Sequence, residues 1–306
     1  MKRLIGSMAL VVSLGLVSAA CGHGGAVPVR SIGEPTPNPS TQASTSASAA
    51  SGKPSPSPRP TRSAKPPAGT LTVQVWFTQG EHLFLTSRTQ GATVAVGKAA
   101  LTQLVAGPTS TEAAAGVGSS VPSGTDLLGL SIQDGVATVN LSGTYDDGGG
   151  SLSERMRLAQ VVYTITQFPT VQGVDFQLDG KAVTAFSGEG IVLDRPQTRA
   201  DYEDLLPAIV VDSPRVGSTV SSPVTITGTA NVFEATVSFQ ILDETGQVLT
   251  DGSTTATCGT GCRGDYTIVA AYHVGSDQPG TIQVFEVSAK DGSHVNVVEI
   301  PVTLTA

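Results

Sequence analysis

A chain of 306 residues has room for about two domains once an export signal is set aside. Its formal charge of −8 argues against a general nucleic-acid binder, which would present a basic face. Charged residues make up only 14 % of the chain while Gly, Thr, Ser, Val and Ala abound, which suits a β-rich extracellular protein better than a helical bundle.

The chain opens on Met1-Lys2-Arg3, runs through an apolar stretch from Leu4 to Val17 broken only by small residues, and reaches Ser18-Ala19-Ala20-Cys21. That is the three-part layout of a secretory signal, residues 1–20. The apolar stretch is shorter than the roughly 20 residues of a spanning helix, and no later segment is apolar enough to cross a bilayer. Small residues ending in a cysteine resemble the lipobox of bacterial lipoproteins, whose cysteine is lipidated and becomes the first mature residue. The usual Leu three positions earlier is Ser18 here. The alternative is an ordinary signal peptidase site, since Ser18 and Ala20 also fit the small-x-small rule.

Cysteine arithmetic favours the lipid. Of the three cysteines, Cys258 and Cys262 can pair in an oxidising compartment, which leaves Cys21 as the odd one. More than one acyl chain makes such an anchor stable. The expectation is an exported protein held by lipid on Cys21 to the outer face of a bacterial cell membrane, with soluble secretion as the alternative.

Residues 21–69 are Pro, Ser, Thr and Ala with almost no large apolar side chain, as in Glu34-Pro35-Thr36-Pro37 and Lys53-Pro54-Ser55-Pro56. Such a stretch cannot bury enough apolar area to fold and reads as a disordered linker. Its charges are mostly basic (Arg30, Lys53, Arg59, Arg62, Lys65) and scattered, as solvated charge is.

The first folded domain is expected over residues 70–201. Val73, Val75 and Phe77 alternate with polar residues as a half-buried strand does. Ala100, Leu101, Leu104 and Val105 fall at helical spacing, and Gly107-Pro108 ends that helix. Leu128, Leu130 and Ile132, then Asp134-Gly135, then Ala137, Val139 and Leu141 spell a hairpin. Ser151-Leu152-Ser153-Glu154 reads as a capping box with Ser151 as the cap. Leu152, Met156, Ala159, Val162, Tyr163 and Thr166 then make one stripe of a long amphipathic helix, which Pro169 stops. Val174, Phe176 and Leu178 alternate again, Asp179-Gly180 turns, and Val183 begins a return strand. The order predicts an α+β domain with two helices on one face of a mostly antiparallel sheet.

Four ordered blocks of this domain resemble the GerM (sporulation and spore germination) domain. They are Ala100-Leu101-Thr102-Gln103-Leu104-Val105-Ala106-Gly107-Pro108-Thr109, Asp134-Gly135-Val136-Ala137-Thr138-Val139-Asn140-Leu141, the helix from Arg157 to Pro169, and Val174-Asp175-Phe176-Gln177-Leu178-Asp179-Gly180-Lys181. The resemblance implies a non-enzymatic extracytoplasmic module tied to envelope and spore assembly.

The second domain is expected over residues 207–306. Short alternating runs recur: Val224, Ile226 and Gly228; Val237, Phe239 and Ile241; Tyr266, Ile268 and Ala270; Ile282, Val284, Phe285 and Val287; and Val295, Val297, Val298, Ile300, Val302 and Leu304. About seven short strands in roughly 100 residues predict an all-β immunoglobulin-like sandwich. The opening from Ile209 to Val220, followed by Pro223-Val224-Thr225-Ile226-Thr227-Gly228, resembles the immunoglobulin-like module that accompanies GerM domains in spore-germination-associated proteins.

Candidate chemistry is sparse. Cys258 and Cys262 suit a disulfide in an exported chain; structural zinc needs four ligands, and only His273 and His294 are plausible helpers. Asp146-Asp147-Gly148-Gly149-Gly150 lacks the Lys of a phosphate cradle and enough oxygens for calcium, and reads as a flexible strand-to-helix connection. Arg263-Gly264-Asp265 is the integrin-type tripeptide, which more simply leads into the strand at Tyr266. Glu189, Asp201, Glu203 and Asp204 could pair as glycosidase carboxylates only across a cleft; Asp201 to Asp204 reads as a solvated connection between domains. There is no Gly-x-Ser-x-Gly, and the four histidines show no metal spacing. No catalytic residue, metal or cofactor is assigned. The expectation is a non-catalytic binding or scaffolding module for an envelope protein or for peptidoglycan, with no nucleic-acid partner. The rivals are an envelope enzyme acting on peptidoglycan and a purely structural spacer.

Overall fold

The computed structural model describes residues 69–186 and 190–306. The signal at 1–20, Cys21, the linker up to residue 68 and Glu189 lie outside the described residues.

The α+β part begins with a hairpin, β1 (Thr70–Gln79) and β2 (His82–Gly91), in unbroken antiparallel register from Thr70↔Gly91 to Gln79↔His82. Two helices follow, α1 (Val96–Val105) and the short α2 (Ser110–Ala114). Next come β3 (Leu127–Gln133) and β4 (Val136–Leu141), and then α3 (Ser151–Ile165). The part closes with β5 (Gly173–Leu178) and three two-residue strands, β6 (Lys181–Ala182), β7 (Ala185–Phe186) and β8 (Ile191–Val192). One sheet has the order β3-β4-β5-β6, and only β4 and β5 run parallel. That follows from the chain: α3 is the crossover between them, and a parallel pair needs such a connection.

Two Asp-Gly pairs set the turns. Asp134 and Gly135 have φ of 51° and 83°, and Asp179 and Gly180 have 48° and 78°, the left-handed pair that a tight hairpin turn requires.

The structure departs from the sequence reading in three places. A second strand, β2, occupies the stretch left unassigned after Phe77. β1 and β2 form their own two-stranded sheet, so α1 and α3 pack against this hairpin as well as against the four-stranded sheet. α3 is therefore not amphipathic in practice. Glu154 and every residue from Met156 to Ile165 are buried, as expected of a helix covered on more than one side. Finally, Ser151 is the first residue of α3 and not its cap. The cap is Gly150, whose N–H donates to Ser153 Oγ at 3.0 Å while Ser153 Oγ donates to the Gly150 carbonyl at 2.9 Å.

After a 3₁₀ segment (Arg199–Leu205) the chain enters the sandwich through β9 (Ile209–Ser213) and β10 (Thr219–Val220). It continues through β11 (Val224–Ala230), β12 (Thr236–Leu242), β13 (Val248–Thr255) and β14 (Gly264–Ala270). β15 (Gln278–Val287) and β16 (His294–Leu304) complete it. The five-stranded sheet has the order β10-β16-β15-β12-β13, and the three-stranded sheet β14-β11-β9. Val237, Ile241, Ile282, Val284, Ile226, Ile268 and Ile300 are all buried in the core. Strand β13 was not legible in advance: it is an edge strand with mostly exposed polar residues, so its alternation is weak. Among the described residues no helix is long and apolar enough to cross a membrane.

Candidate binding surface

The stretch read as a solvated connection between domains is a set of arginine clamps. Asp204 takes two bonds from the Arg155 guanidinium, both 2.8 Å. Asp201 takes two from Arg195, at 3.0 and 2.5 Å, and one from the Thr198 N–H at 2.7 Å. The Arg195 bonds, with those from Thr198, hold the Asp201 carboxyl down to about 2 against the opposing effect of its partial burial. Arg199 donates to the Tyr163 carbonyl at 3.0 Å and to Thr166 Oγ1 at 2.8 Å, which ties the 3₁₀ segment to the end of α3.

Two further arginines fix the sandwich. Arg215 donates to the Val211 carbonyl at 2.5 Å and, across to the first hairpin, to the Leu85 carbonyl at 3.2 Å. Burial pushes its pKa down to about 10, with Asp212 acting in the opposite direction. Arg263 donates to the Pro207 carbonyl at 2.7 Å. A guanidinium suits this task because its planar fork of donors reaches several carbonyls at once.

Beside the joint lies a cleft of about 150 Å³ between β2, the start of β9 and β16. Leu83, Leu85, Ile209, Val211 and Val297 give it an apolar lining, and His82 is the one titratable side chain on its wall among the described residues. Small-molecule sites are usually of about 300–1,000 Å³, so this cleft is undersized for one.

Asp201 and Asp204 are each taken by a separate arginine, and Glu189 lies outside the described residues. The Asp146–Gly150 connection is tied to α3. Arg157 of α3 donates to the carbonyls of Tyr145 (2.6 Å), Gly148 (2.8 Å) and Asp147 (3.3 Å), and also to that of Ser120 (3.1 Å).

Arg263-Gly264-Asp265 is not a projecting loop. Arg263 is turned onto the joint, and a Cβ on Gly264 would stand 2.0 Å from the Cys258 nitrogen. Cys258 and Cys262 stand with Cα atoms 5.7 Å apart, a separation that suits a disulfide. His273 and His294 are exposed, and His294 stacks on Phe285 with ring centroids 3.7 Å apart. Among the described residues no group of three or more His, Cys, Asp or Glu is placed to hold a metal.

Three features went unread in the sequence. Arg88 and Glu112 form a part-buried bidentate pair, both bonds 2.6 Å. Thr109 and Glu112 form the capping box of α2, and Thr109-Ser110-Thr111-Glu112 is the signal that could have found it. On the outer face of the five-stranded sheet the register sets Asp251, Gln240, Gln283 and Glu299 in one row across β13, β12, β15 and β16. Gln240 Nε2 donates to Gln283 Oε1, and Gln283 Nε2 donates to Glu299 Oε1 at 2.7 Å.

Residues 58–184 match the family described as Germane, sporulation and spore germination. Residues 208–293 match Gmad2, the immunoglobulin-like domain of bacterial spore germination. Among solved structures, the tandem GerMN domains of the sporulation protein GerM from Bacillus subtilis are 12 % identical with a TM-score of 0.39, covering 78 % of this chain and 61 % of that one. The first GerMN domain of the same protein is 17 % identical with a TM-score of 0.36, over 43 % of this chain and 99 % of that one. A candidate lipoprotein from Clostridium perfringens is 20 % identical with a TM-score of 0.33, over 45 % and 93 %. These structural likenesses are too slight to carry an argument. Among curated proteins none matches the chain.

Proposed function

We propose that this chain, which joins a sporulation and spore germination domain to an immunoglobulin-like domain of bacterial spore germination, is a non-catalytic binding or scaffolding lipoprotein of the cell envelope. In this reading residues 1–20 are a removed signal and Cys21 carries the lipid. Residues 21–69 are the tether, and residues 70–201 and 207–306 are two modules displayed outside the membrane. Cys258 and Cys262 close a small loop in the second module. Its partner is an envelope protein or peptidoglycan.

The observation that supports this reading is the use of the arginines. Arg155, Arg195, Arg199, Arg215 and Arg263 are all bonded to the protein's own carboxylates and carbonyls, and together they fix the two folded parts through the joint. A two-part body held together at its joint presents surface, and a scaffold needs surface.

The test is photo-crosslinking of the full chain in its own cells, with the probe placed on exposed positions of each folded part. Discrete protein or glycan adducts are expected. If no position yields an adduct above that of an unrelated exported protein, the binding reading fails.

A further inference from the structure

We infer that the cleft between β2, β9 and β16 docks a segment of the chain's own tether. The segment is Ala26-Val27-Pro28-Val29-Arg30-Ser31-Ile32, which lies outside the described residues.

Two unpaired strand edges call for a peptide. Among the described residues β2 pairs only with β1, and β9 only with β11. Opposite Leu83 and Leu85 stand Thr78 and Trp76, whose backbones bond Gly118, Thr164 and Gln160 instead of β2. Leu83 and Leu85 therefore direct their own N–H and C=O groups away from β1. On β9 the Asn231 N–H donates to the Ala208 carbonyl, so by alternation Ile209 and Val211 turn theirs away from β11. All four residues line the cleft, and none is more than 5 % exposed. Arg215 bridges the Leu85 and Val211 carbonyls and closes one end. The other six groups make no bond among the described residues. Buried backbone donors and acceptors need partners, and an extended peptide offers both kinds.

Volume and lining select what enters. A space of about 150 Å³ between apolar walls takes a group the size of benzene, so one branched aliphatic side chain fills it. No Asp, Glu, Lys or Arg stands on its wall. Between residues 22 and 69, Val27, Val29 and Ile32 are the only Val, Ile, Leu, Met, Phe, Tyr or Trp, and they fall within six positions. In an extended segment Val27 and Val29 face one way while Pro28 and Arg30 face the other, which leaves the charge outside the cleft. The missing N–H of Pro28 then falls on the edge opposite to those of Val27 and Val29.

Reach is ample. From Thr70 to Thr78, which pairs with Leu83, β1 covers about 27 Å at about 3.4 Å per residue. The 37 residues from Gly33 to Gly69 can span up to about 120 Å. In the lipoprotein reading docking shortens the tether. Ala26 is five residues from Cys21, about 17 Å when extended, so a filled cleft holds the folded parts close to the membrane.

The test is hydrogen exchange, read by mass spectrometry, on the purified full chain and on the variant Val27→Ser/Val29→Ser/Ile32→Ser, whose changes lie outside the folded parts. Peptides covering Leu83 to Leu85 and Ile209 to Val211 should exchange about tenfold faster in the variant, while β4 and β12 stay unchanged. A synthetic peptide of residues 26–32 added to the variant should restore slow exchange, and one of scrambled order should not. Equal exchange in the unmodified chain and the variant would overturn the inference, as would equal restoration by both peptides. Protection that falls on tenfold dilution would put a second copy in the cleft and overturn it too. None of these results touches the binding reading, which stands or falls on the envelope crosslinks.

Discussion

Gln167 meets Gln74 as a neighbouring strand would. The Gln74 N–H donates to Gln167 Oε1 at 2.8 Å, and Gln167 Nε2 returns a bond to the Gln74 carbonyl at 2.8 Å. Two residues along β1, the Trp76 N–H donates to Thr164 Oγ1 and the Trp76 carbonyl accepts from Gln160 Nε2, both at 3.1 Å. Residues 74 and 76 present their backbone to one edge of the strand; Gln160 and Thr164 lie one turn apart on α3, and Gln167 follows in the turn after it. The helix thereby closes a strand edge that would otherwise be open to pairing with another chain.

Removing this edge cover has a stated cost. Gln160 is fully buried, and Gln160→Ala leaves the Trp76 carbonyl and the Ser120 N–H without their partner. The expected loss is about 2–3 kcal/mol by urea denaturation, and about 1–2 kcal/mol for the half-buried Gln167→Ala. A loss below about 0.5 kcal/mol for Gln160→Ala would mean that water substitutes freely, and the edge-closing account would fall.

The Arg88–Glu112 pair should show in the acid limb of stability. Burial pushes the Glu112 carboxyl up, but the bonds from Arg88 and Thr109 together outweigh it, so its pKa lies below the ordinary 4.5. Because the folded value is depressed, the stabilisation is complete above the unfolded value and is lost as pH falls through the folded one. Glu112→Gln should therefore flatten the fall of the urea midpoint between about pH 5 and about pH 3. At neutral pH Glu112→Ala should cost about 1–3 kcal/mol, since it takes the carboxylate from a part-buried guanidinium and the cap from α2. An acid limb identical in the two proteins would show that the pair does not titrate there.

What the sequence made legible was whatever repeats locally. Val73, Val75 and Phe77 alternate because one face of β1 is buried, and the two Asp-Gly turns are written in two residues each. What it hid depends on neighbours far along the chain. Leu83, Phe84 and Leu85 are all buried because both sides of β2 are covered, which erases the alternation that marks a strand. Gln160 and Thr164 look like a solvent face of α3, yet their partner is Trp76, more than 80 residues earlier. The joint was least legible of all: the parts played there by Arg155, Arg199, Arg215 and Arg263 went unread, since a backbone carbonyl as partner leaves no mark in composition.

The joint itself can be loosened at one residue. Arg215→Ala removes the donor to both Leu85 and Val211 carbonyls, and the expected cost is about 2–3 kcal/mol. The distinguishing readout is local. Limited proteolysis should cut within residues 206–218 in the variant well before the unmodified chain is cut there. Arg215→Lys should rescue only in part, because one ammonium cannot reproduce the fork. Equal cutting in all three proteins would mean that the joint is held elsewhere.

Lipidation makes a separate prediction for Cys21, whose chemistry is independent of the folded parts. Cells fed a fatty-acid analogue should label the chain, and Cys21→Ala should abolish the label and release the protein from the membrane fraction. Label that survives in the variant would place the acyl group elsewhere or remove it from the account.

The loop at Cys258 tests whether the tripeptide Arg263-Gly264-Asp265 is structural. The bridge spans a sequence separation of only 4, so the entropy it removes from the unfolded chain is small, worth about 2 kcal/mol. Replacing both cysteines by Ser should therefore lower stability by about that much or less and leave the sandwich folded. Gly264→Ala should be worse. Its added methyl would press on the Cys258 backbone at 2.0 to 2.8 Å, so β14 must shift away from the loop and Arg263 must leave the Pro207 carbonyl. Stability by urea denaturation and proteolysis at residues 206–218 should both respond to Gly264→Ala, whereas the cysteine variant should affect only the first. If Gly264→Ala is as stable as the unmodified chain, Gly264 does not hold this packing, and the tripeptide is free to be read as a surface motif.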